Sequence, residues 1–514
     1  MKKKILLSLL VLVALFTVTG CGGKKESSKK KVDGRTVINY NSAFFINDGG
    51  KYALFSDSGK KLTDFEFTYG STFINGAALV KNADGQSGVI DTNGKMVIPF
   101  GKYKYVYQEA GLYKVTDEER NTYLLNAKGK QIADLKDKSL TTYIGVSEYS
   151  FMLDKEKEEY SILNSNGDAI LKFARGKSDD KPETNSEKNY LSVYHDGKNY
   201  VVDLITEKKV LEFDADKHFC VNNASDDGKI ITMNSCVGTF QRQDKTFYKF
   251  IKDGKLYDLS DKCDSVSLNS GNLICSKDSK NYLLNDKLEV GASIDGTSYT
   301  DATHYAKAKA GSFNGIDFYE GDKVVKNVEC RTMHEYGYSK SGLVILTTYF
   351  SKPCGTESGT YEFYNQKGEK MFDKSFSRAT KFDSNGLAKV SEDKVNFYLI
   401  DTKGKKVTDE YASIIERNSY YLVTKDGKVG VLDKAGKVVI EAKYKNVDSV
   451  TSKGVQYFKL TTEDSKYIIY NAETKKEVYN SDLAPQTTSD YMVVTKDGKK
   501  TYYTYTGKEF YSEK

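Results

Sequence analysis

The sequence predicts an all-β protein made of about thirteen short antiparallel β-sheet repeats. Two observations support this fold class. A unit of short β-branched and aromatic runs, separated by glycine turns, returns about every 32 to 40 residues along the 514-residue chain. The composition, with Gly 41, Tyr 39 and Pro only 4, is typical of many short strands joined by tight turns. The length also exceeds one ordinary domain core, which favours a repeat array.

The clearest unit, residues 420–444, reads YYLVTKDGKVGVLDKAGKVVIEAKY. Its strand-like runs suit a pleated, half-buried surface because they are aromatic or β-branched. Asp426-Gly427 predicts a type I′ hairpin turn, which needs positive φ at both central residues. Gly436 stands in the second turn, where a short loop often requires positive φ.

A glycine in the second turn of each unit marks the register of the repeat. These marker glycines are Gly59, Gly94, Gly129, Gly167, Gly368, Gly404, Gly436 and Gly507. The marker fades between Asp203 and Gly368, although strand-like pairs continue there. The Asp or Asn that precedes the marker bonds its own backbone at turns, so its recurrence has a structural reason.

Four short strands in about 37 residues are the size of a β-propeller blade. Propellers typically close with about four to eight blades, so thirteen units are too many for one ring. We therefore expect two tandem propellers, with about six blades in residues 36–220 and seven in 221–514. An open β superhelix, in which each unit touches only its neighbours, is the alternative.

The N-terminus has the features of an export signal, assigned to residues 1–20. A lysine-rich head precedes an uncharged apolar run, Ile5 to Thr19, which is short for a membrane-spanning helix. The sequence Val-Thr-Gly-Cys that ends at Cys21 resembles the bacterial lipoprotein signal. The resemblance implies diacylglycerol and palmitate on Cys21, a lipid anchor at the cell membrane and a location outside the cytoplasm. A Gram-positive surface is favoured, and polar residues 21–35 are expected to form a flexible tether.

Units such as KDGKVGVLDKAGKVVIEAKY and ADGQSGVIDTNGKMVIP resemble the WG-repeat family of bacterial proteins. The resemblance is close around residues 75–99 and 419–444 and weak from about 203 to 364. The chain has no Trp. The family's Trp column holds Tyr52, Ser87, Tyr160, Tyr361 and Val429 in this sequence, and the following Gly is kept as Gly88 and Gly430. The family has no common catalytic activity, so the resemblance implies architecture and surface location.

Six cysteines remain besides Cys21, and an even number in an exported protein favours disulfides. The first, third and fifth fall near the opening strand of a unit, and the others fall on or just after the following strand. Opening and following strands are neighbours in a blade, so we predict the pairs Cys220–Cys236, Cys263–Cys275 and Cys330–Cys354. Free buried thiols are the alternative.

No catalytic, metal or cofactor site is predicted. Four His occur, and none has a partner at i+4 or a zinc-finger spacing to the cysteines. His195 is expected at an exposed turn. There is no G-x-S-x-G elbow or phosphate-binding glycine loop. The formal charge of +6 includes three lysines of the signal, which argues against the concentrated basic surface of a nucleic-acid-binding protein.

Tyrosines are the most suggestive side chains, because Tyr combines an apolar face with a polar tip that suits sugars and protein interfaces. Most of them should nevertheless fill strand faces of the core. The groups are Tyr103, Tyr105, Tyr107 and Tyr113; Tyr420, Tyr421 and Tyr444; and Tyr502, Tyr503 and Tyr505. The favoured function is a non-enzymatic binding or scaffold module for an envelope protein or glycan. A cell-envelope hydrolase acting on glycan or peptide, with acidic residues in a propeller channel, is the alternative.

Overall fold

The computed structural model is all-β and contains no helix in the residues that it describes. These residues are 29–32, 36–39, 42–141, 149–176, 181–225, 227–236, 248–301, 303–309, 315–348, 359–417 and 419–513. Their strands form fourteen small sheets. One is a separate hairpin of β1 (Lys29–Val32) and β2 (Thr36–Asn39), and the other thirteen sheets are the repeats, numbered here as blades 1 to 13 in chain order.

The strand bounds follow the repeat. Blade 1 contains β3 (Ala43–Asp48) and β4 (Lys51–Ser56), and blade 2 contains β5 (Tyr69–Gly70), β6 (Ala77–Lys81), β7 (Ser87–Asp91) and β8 (Met96–Ile98). Blade 3 contains β9 (Tyr105–Glu109), β10 (Leu112–Thr116), β11 (Thr122–Leu125) and β12 (Gln131–Asp134). Blade 4 contains β13 (Lys138–Thr141), β14 (Ser150–Asp154), β15 (Glu159–Leu163) and β16 (Ala169–Ala174). Blade 5 contains β17 (Glu183–Glu187), β18 (Tyr190–His195), β19 (Lys198–Asp203) and β20 (Lys208–Asp214). Blade 6 contains β21 (Phe219–Ala224), β22 (Ile230–Ser235), β23 (Tyr248–Lys252) and β24 (Lys255–Asp258). Blade 7 contains β25 (Ser265–Asn269), β26 (Asn272–Lys277), β27 (Lys280–Leu284) and β28 (Val290–Ser293).

Blades 8 to 10 are less regular. Blade 8 contains β29 (Thr297–Tyr299), β30 (His304–Ala308), β31 (Gly315–Glu320), β32 (Lys323–Glu329) and β34 (Gly337–Tyr338). Blade 9 contains β33 (Arg331–Met333), β35 (Val344–Thr348) and β36 (Tyr361–Tyr364). Blade 10 contains β37 (Arg378–Ala379), β38 (Leu387–Ser391) and β39 (Tyr398–Asp401). β34 joins blade 8 in parallel, whereas the other named pairings are antiparallel. Isolated bridges, such as Tyr361↔Phe376 in blade 9, extend the shorter sheets of blades 1, 9 and 10.

Blades 11 to 13 return to the four-stranded pattern. Blade 11 contains β40 (Ser413–Glu416), β41 (Tyr421–Lys425), β42 (Lys428–Leu432) and β43 (Val438–Tyr444). Blade 12 contains β44 (Asn446–Ser452), β45 (Val455–Thr461), β46 (Tyr467–Asn471) and β47 (Lys476–Ser481). Blade 13 contains β48 (Gln486–Thr487), β49 (Met492–Lys496), β50 (Lys499–Tyr503) and β51 (Glu509–Ser512). In blade 11, Asp426 and Gly427 both have positive φ, +51° and +75°, as the predicted type I′ turn requires.

The hydrophobic core is divided among the interfaces between blades. Each blade is covered on both faces, so its central strands read as nearly continuous apolar runs. The cluster around Leu191 and Phe173 joins blades 4 and 5, and the cluster around Phe363 and Val390 joins blades 9 and 10. Thirteen clusters of buried residues occur in the described part of the chain, and each joins one pair of consecutive blades.

One of these clusters closes the circuit, because it joins blade 13 to blade 1. Phe44 and Phe55 of blade 1 pack there with Val493 and Tyr502 of blade 13. The ring of Phe510 lies 5.8 Å from that of Phe44, centroid to centroid. The all-β repeat fold is therefore confirmed, but the blades follow one ring resembling an enlarged β-propeller. The expectation of two tandem propellers of six and seven blades was wrong, and the superhelix is not open.

The boundary that we placed between residues 220 and 221 lies inside β21 of blade 6. One cluster joins blade 6 to blade 5, through Tyr190 and Ile231, and another joins it to blade 7, through Phe250 and Val266. A single ring of blades therefore runs through this point without a break. β1 lies within residues 21–35, where a flexible tether is expected, and it pairs with β2.

The marker glycines lie at the joints between blades. Each has positive φ, and a Cβ added at Gly59, Gly167, Gly404 or Gly507 would meet an atom of the preceding blade at 2.5, 2.1, 2.5 or 1.9 Å. At Gly507 that atom is the backbone carbonyl oxygen of Val478, which cannot move aside easily. At Gly59 it belongs to Phe510, so the joint that closes the ring follows the same rule. Glycine is needed here both for φ and for the close approach.

The glycine that follows the Trp column of the repeat, Gly88 or Gly430, has a different structural role. A Cβ at Gly430 would lie 2.7 Å from the backbone of Ile440 and Ala442, so the fourth strand approaches the third closely at this point. The register shifts there, as in a β-bulge. The preceding residue occupies the family's Trp column, and Tyr52, Tyr160, Tyr361 and Val429 all pack in the cluster shared with the next blade. Tyr and Val thus replace Trp as packing residues.

We predict that Gly507→Ala destabilises the protein more than Gly498→Ala. Both glycines lie in blade 13 with φ near +80°, so both substitutions incur the cost of a left-handed residue, about 1–2 kcal/mol. Only at Gly507 does the methyl group meet another blade, because nothing lies within 4 Å of a Cβ at Gly498. Overpacking should add about 1–3 kcal/mol, measured by urea unfolding. Equal losses would contradict the joint role of Gly507.

We also predict that Phe44→Ala opens the ring between blades 1 and 13. Truncation of a buried Phe costs about 3–5 kcal/mol, and this ring contacts Tyr491 and Phe510 of blade 13. Amide hydrogen exchange in β49 and β50 should therefore rise first. Phe318→Ala, which removes a ring between blades 8 and 9, is the matched control and should affect blade 9 instead. Unchanged exchange in blade 13 would argue against closure.

Candidate functional site

The structure separates the tyrosines into buried and exposed groups. Tyr113, Tyr420, Tyr421, Tyr444, Tyr502 and Tyr505 are buried in or beside the clusters between blades, and Tyr103 and Tyr503 are partly buried there. Burial raises the pKa of Tyr113, Tyr421 and Tyr502 far above the ordinary value, because the phenolate would be poorly solvated. These tyrosines are packing residues, as we expected for most of the group.

Three exposed tyrosines lie on the first strands of two adjacent blades. Tyr69 of blade 2 is 43% exposed, and Tyr105 and Tyr107 of blade 3 are 49% and 54% exposed. Tyr105 and Tyr107 alternate with the buried Val106, so both project from the same face of β9. Their rings are stacked with centroids 6.3 Å apart and an interplanar angle of 21°. We call Tyr69, Tyr105 and Tyr107 the aromatic patch.

Tyr69 and Tyr105 occupy equivalent positions in their blades. Each pairs with the last residue of the second strand, Lys81 in blade 2 and Thr116 in blade 3. The same position holds a polar residue in three other blades: Lys138 in blade 4, Arg378 in blade 10 and Asn446 in blade 12. The aromatic side chain is therefore not a requirement of the repeat.

The backbone beneath the patch is held by contacts between blades 2 and 3. The Ser71 hydroxyl, two residues after Tyr69, lies 2.8 Å from Gln108 Oε1 and donates to it. The Gln108 amide donates to the hydroxyl of the buried Tyr113 at 3.4 Å. The first strands of the two blades are thus tied together, and the exposed rings stand on a rigid support.

Polar groups flank the exposed rings. Lys81 and Lys114 are the cross-strand partners of Tyr69 and Tyr107. The ammonium group of Lys104 lies 5.9 Å from the centroid of Tyr105, within the range of a cation–π contact. Aromatic faces therefore lie beside several hydrogen-bond donors. This combination suits a ligand that has both C–H faces and polar groups.

Comparison with protein families identifies the repeat. The model of the WG containing repeat matches residues 88–115 and 430–458. The chain contains WG repeats at these two positions. Each matched segment begins at the glycine that follows the Trp column, Gly88 or Gly430. It then runs through the fourth strand of that blade into the second strand of the next blade. The WG-repeat match thus spans the joint between blades, where the structure places the glycine constraints and the Trp-column residues.

No curated protein sequence matches the chain significantly. Among solved structures, similarity is found to one described as "Crystal structure of the eukaryotic initiation factor", with 14% identity, a TM-score of 0.28 and coverage of 69% of this chain and 92% of the other. The dihydro-heme d1 dehydrogenase NirN is also similar, with 13% identity, a TM-score of 0.22 and coverage of 65% and 73%. Such low TM-scores support no functional inference.

Two of the three predicted disulfides are present in the structure. The structure contains the disulfides Cys220–Cys236 and Cys263–Cys275, with Cα atoms 5.3 and 5.4 Å apart, in blades 6 and 7. Cys330 is also disulfide-bonded. Its pairing with Cys354 stays a prediction, because Cys354 lies outside the described residues, as does Cys21 with its predicted lipid.

His195 is buried, contrary to the expectation of an exposed turn residue. It ends β18, and its imidazole packs against Tyr160 and Phe173 of blade 4, with ring centroids 5.1 and 5.8 Å away. Its Nε2 also bonds to the carbonyl oxygen of Arg175. The reason is tertiary, because the preceding blade covers a turn that is exposed in an isolated hairpin.

A Ser–His–carboxylate arrangement joins blades 5 and 6. Ser192 Oγ lies 2.8 Å from His218 Nε2, and His218 Nδ1 lies 3.4 Å from Glu183 Oε2. Ser192 is fully buried, and its single proton is donated to the carbonyl of Phe219. A nucleophilic serine needs access to substrate and must give its proton to the histidine. This arrangement therefore stabilises the interface and is not a hydrolase triad.

Burial lowers the pKa of His218 to about 4, so its imidazole is neutral at pH 7. Since the Ser192 hydroxyl donates elsewhere, Nε2–H of His218 must donate to Ser192 Oγ. The lone pair of the imidazole is then on Nδ1. Sequence reasoning missed this cluster. The signal was the closeness of His218 to Cys220, together with the predicted Cys220–Cys236 disulfide.

An open depression of about 490 Å³ between blades 10 and 11 contains Asp409, Glu410 and Asp426. Lys406 and Lys425 lie among these carboxylates, and Lys406 pairs with Glu410 at 2.6 Å. Nothing in this arrangement assigns one carboxyl group as an acid and another as a base. The hydrolase alternative therefore gains no support from this depression.

Glu362 of blade 9 is a buried carboxylate with an unusually low pKa. Four donors surround it: Arg331 Nε at 2.5 Å, Lys370 Nζ at 2.8 Å, and the hydroxyls of Tyr364 and Ser375, both at 2.9 Å. Burial disfavours the charged carboxylate, but the hydrogen bonds from these four groups outweigh burial and lower the pKa of Glu362 to about 2. Because every donor belongs to blade 9, we interpret the network as structural.

This network predicts a specific acid sensitivity. The folded-state pKa of Glu362 is lower than the unfolded value near 4.5, so its contribution to stability is present above that pH and is lost as the pH falls towards 2. The difference in unfolding free energy between the native protein and Glu362→Gln should therefore shrink by about 3 kcal/mol between pH 6 and pH 2. Urea unfolding at several pH values measures it. A constant difference would show that the carboxylate is not paired.

Proposed function

We propose that this WG-repeat protein is a lipid-anchored, extracytoplasmic binding module that uses its aromatic patch to recognise a glycan of the cell envelope. The observation that carries the proposal is the exposure of three tyrosines on adjacent first strands, while the other predicted tyrosine groups are buried or partly buried between blades. Extended arrays of repeats commonly present broad binding surfaces.

The chemistry of the patch favours glycan over protein. Sugars offer C–H faces that stack on aromatic rings and hydroxyl groups that bond to side-chain donors. Lys81 and Lys114 pair across the strands with Tyr69 and Tyr107 and can supply such donors. A hot spot for a protein partner is typically surrounded by contacts that exclude water. Here the cross-strand neighbours are lysines and a threonine.

The arrangement of blades suits an extended chain. Packed sheets lie about 10 Å apart, so the first strands of blades 2 and 3 should be separated by about the length of two linked sugar rings. The equivalent positions of Tyr69 and Tyr105 would then repeat at that spacing. One polymer could contact both blades, and the tie between Ser71 and Gln108 would hold the spacing.

The anchor and location are part of the proposal. Support comes from the lysine-rich head, the apolar run and the small residues before Cys21. A lipid on Cys21 would hold the ring at the outer face of the membrane. In the described residues, no helix has the length and apolar character to cross a bilayer. We propose a non-enzymatic role, in keeping with the architectural character of the family.

We predict that the double substitution Tyr105→Ala and Tyr107→Ala weakens retention of residues 24–514 on isolated cell wall at least about tenfold, equivalent to ~1.4 kcal/mol. Soluble glycan should compete with the native protein for the wall. The unfolding free energy should change by less than about 0.5 kcal/mol, because the rings are exposed. Tyr336→Ala, at a tyrosine between β33 and β34 that is 58% exposed, is the matched control and should leave retention unchanged.

A detergent extract of envelope proteins provides the second arm of this experiment. Retention of one envelope protein, with no binding to the wall, would replace the glycan proposal with a scaffold function. Wall binding that is insensitive to the double substitution would show that the glycan is recognised elsewhere on the ring. Binding to neither material would contradict the proposal and make a hydrolase screen the next step.

A further inference from the structure

We propose that reduction of the Cys220–Cys236 disulfide creates a thiolate site for a zinc-like divalent metal ion, with His218 as the third ligand. The ligand atoms are already together, because the two Sγ atoms and one ring nitrogen of His218 lie within 4.8 Å of one another. Zinc sites with two cysteines and one histidine need only small movements from such distances, since Zn–S and Zn–N bonds are about 2.3 and 2.0 Å.

The three ligands are held by one pair of strands. His218 directly precedes β21, Cys220 lies in β21, and Cys236 directly follows β22. The Cys236 N–H donates to the His218 carbonyl at 2.9 Å, which continues the strand pairing to the end of the blade. Ligands on paired strands keep their separation after the S–S bond is broken, so the site should not depend on the disulfide for its geometry.

The orientation of His218 is fixed by its surroundings. Ser192 is buried in blade 5 and accepts the Nε2–H, and its own proton goes to the carbonyl of Phe219. Nδ1 is then the nitrogen with a free lone pair, and a hydrogen bond to the opposite nitrogen is the usual way to orient a metal-binding histidine. The Glu183 carboxylate, 3.4 Å from Nδ1, is placed to approach the fourth position.

The second disulfide gives an internal comparison. Cys263 and Cys275 are buried among Phe250, Leu259 and Leu284. In the described part of the chain, His218, Cys220 and Cys236 are the one group of three potential ligands. Reduction of Cys263–Cys275 should therefore yield two thiols without a third ligand and no metal site.

The reaction balances with a dithiol as the reductant. Two electrons from the dithiol break the S–S bond, and the dithiol becomes a cyclic disulfide. The two cysteines, which become thiols on reduction, release two protons as their thiolates bind the metal ion, and a ring nitrogen of His218 supplies its lone pair. Reoxidation by exchange with a disulfide re-forms the S–S bond and releases the metal ion, and the disulfide takes up two electrons and two protons to become two thiols. The metal content would then report the redox state of this blade.

Cobalt(II) is the probe, because thiolate ligation gives it an intense charge-transfer absorption. The whole protein is reduced with a phosphine, which supplies the two electrons in place of the dithiol and becomes a phosphine oxide. The reduced protein is then freed of metal and titrated with Co²⁺, while circular dichroism follows the fold. We expect about one Co²⁺ per reduced chain, with thiolate absorption, and none for the oxidised chain. Zn²⁺ should displace the Co²⁺.

Variants decide which residues bind. Cys236→Ser should abolish the thiolate absorption, and the matched control Cys275→Ser should keep it. His218→Ala should weaken Co²⁺ binding at least about tenfold. If that variant does not fold, Ser192→Ala tests the same point and should weaken binding about tenfold through the orientation of His218. Three outcomes overturn the proposal: no binding by the folded reduced chain, unfolding on reduction, or equal loss of binding in Cys275→Ser.

Discussion

The contact between neighbouring blades is the interaction on which the whole ring depends. A single small sheet cannot bury both of its faces, and here each cluster of buried side chains is shared by two blades. The marker glycines allow this contact, because a side chain at Gly507 or Gly167 would collide with the preceding blade. The same geometry at Gly59 joins the last blade to the first, so closure requires no special device.

The weakly marked part of the repeat shows how this contact can be kept with fewer glycines. In blades 5 and 7, residues with left-handed backbone, Glu207 and Leu288, stand in the second turn. The disulfides Cys220–Cys236 and Cys263–Cys275 connect the first two strands of blades 6 and 7 in this region. A cross-link limits the freedom of the unfolded chain and can offset looser packing. The Cys220–Cys236 cross-link also lies next to His218, which is a potential metal ligand.

The proposed binding surface is made of residues that the ring does not need. Tyr113 and Tyr105 belong to neighbouring strands of one blade, but the first fills the contact with blade 2 and the second is half exposed. Polar residues such as Lys138 and Asn446 stand at the position of Tyr105 in other blades. A repeat protein can therefore change its ligand at such positions without changing its fold.

The sequence by itself determined the all-β class, the number of units, the turn positions and the strand pairs that bring Cys220 to Cys236 and Cys263 to Cys275. These features depend on local rules, since turn chemistry and strand alternation act within about forty residues. Only the tertiary structure decided that the blades form one ring, that His195 is buried and that Tyr105 is exposed while Tyr113 is not. Each of these depends on which blade covers which face, a long-range contact that no local pattern records.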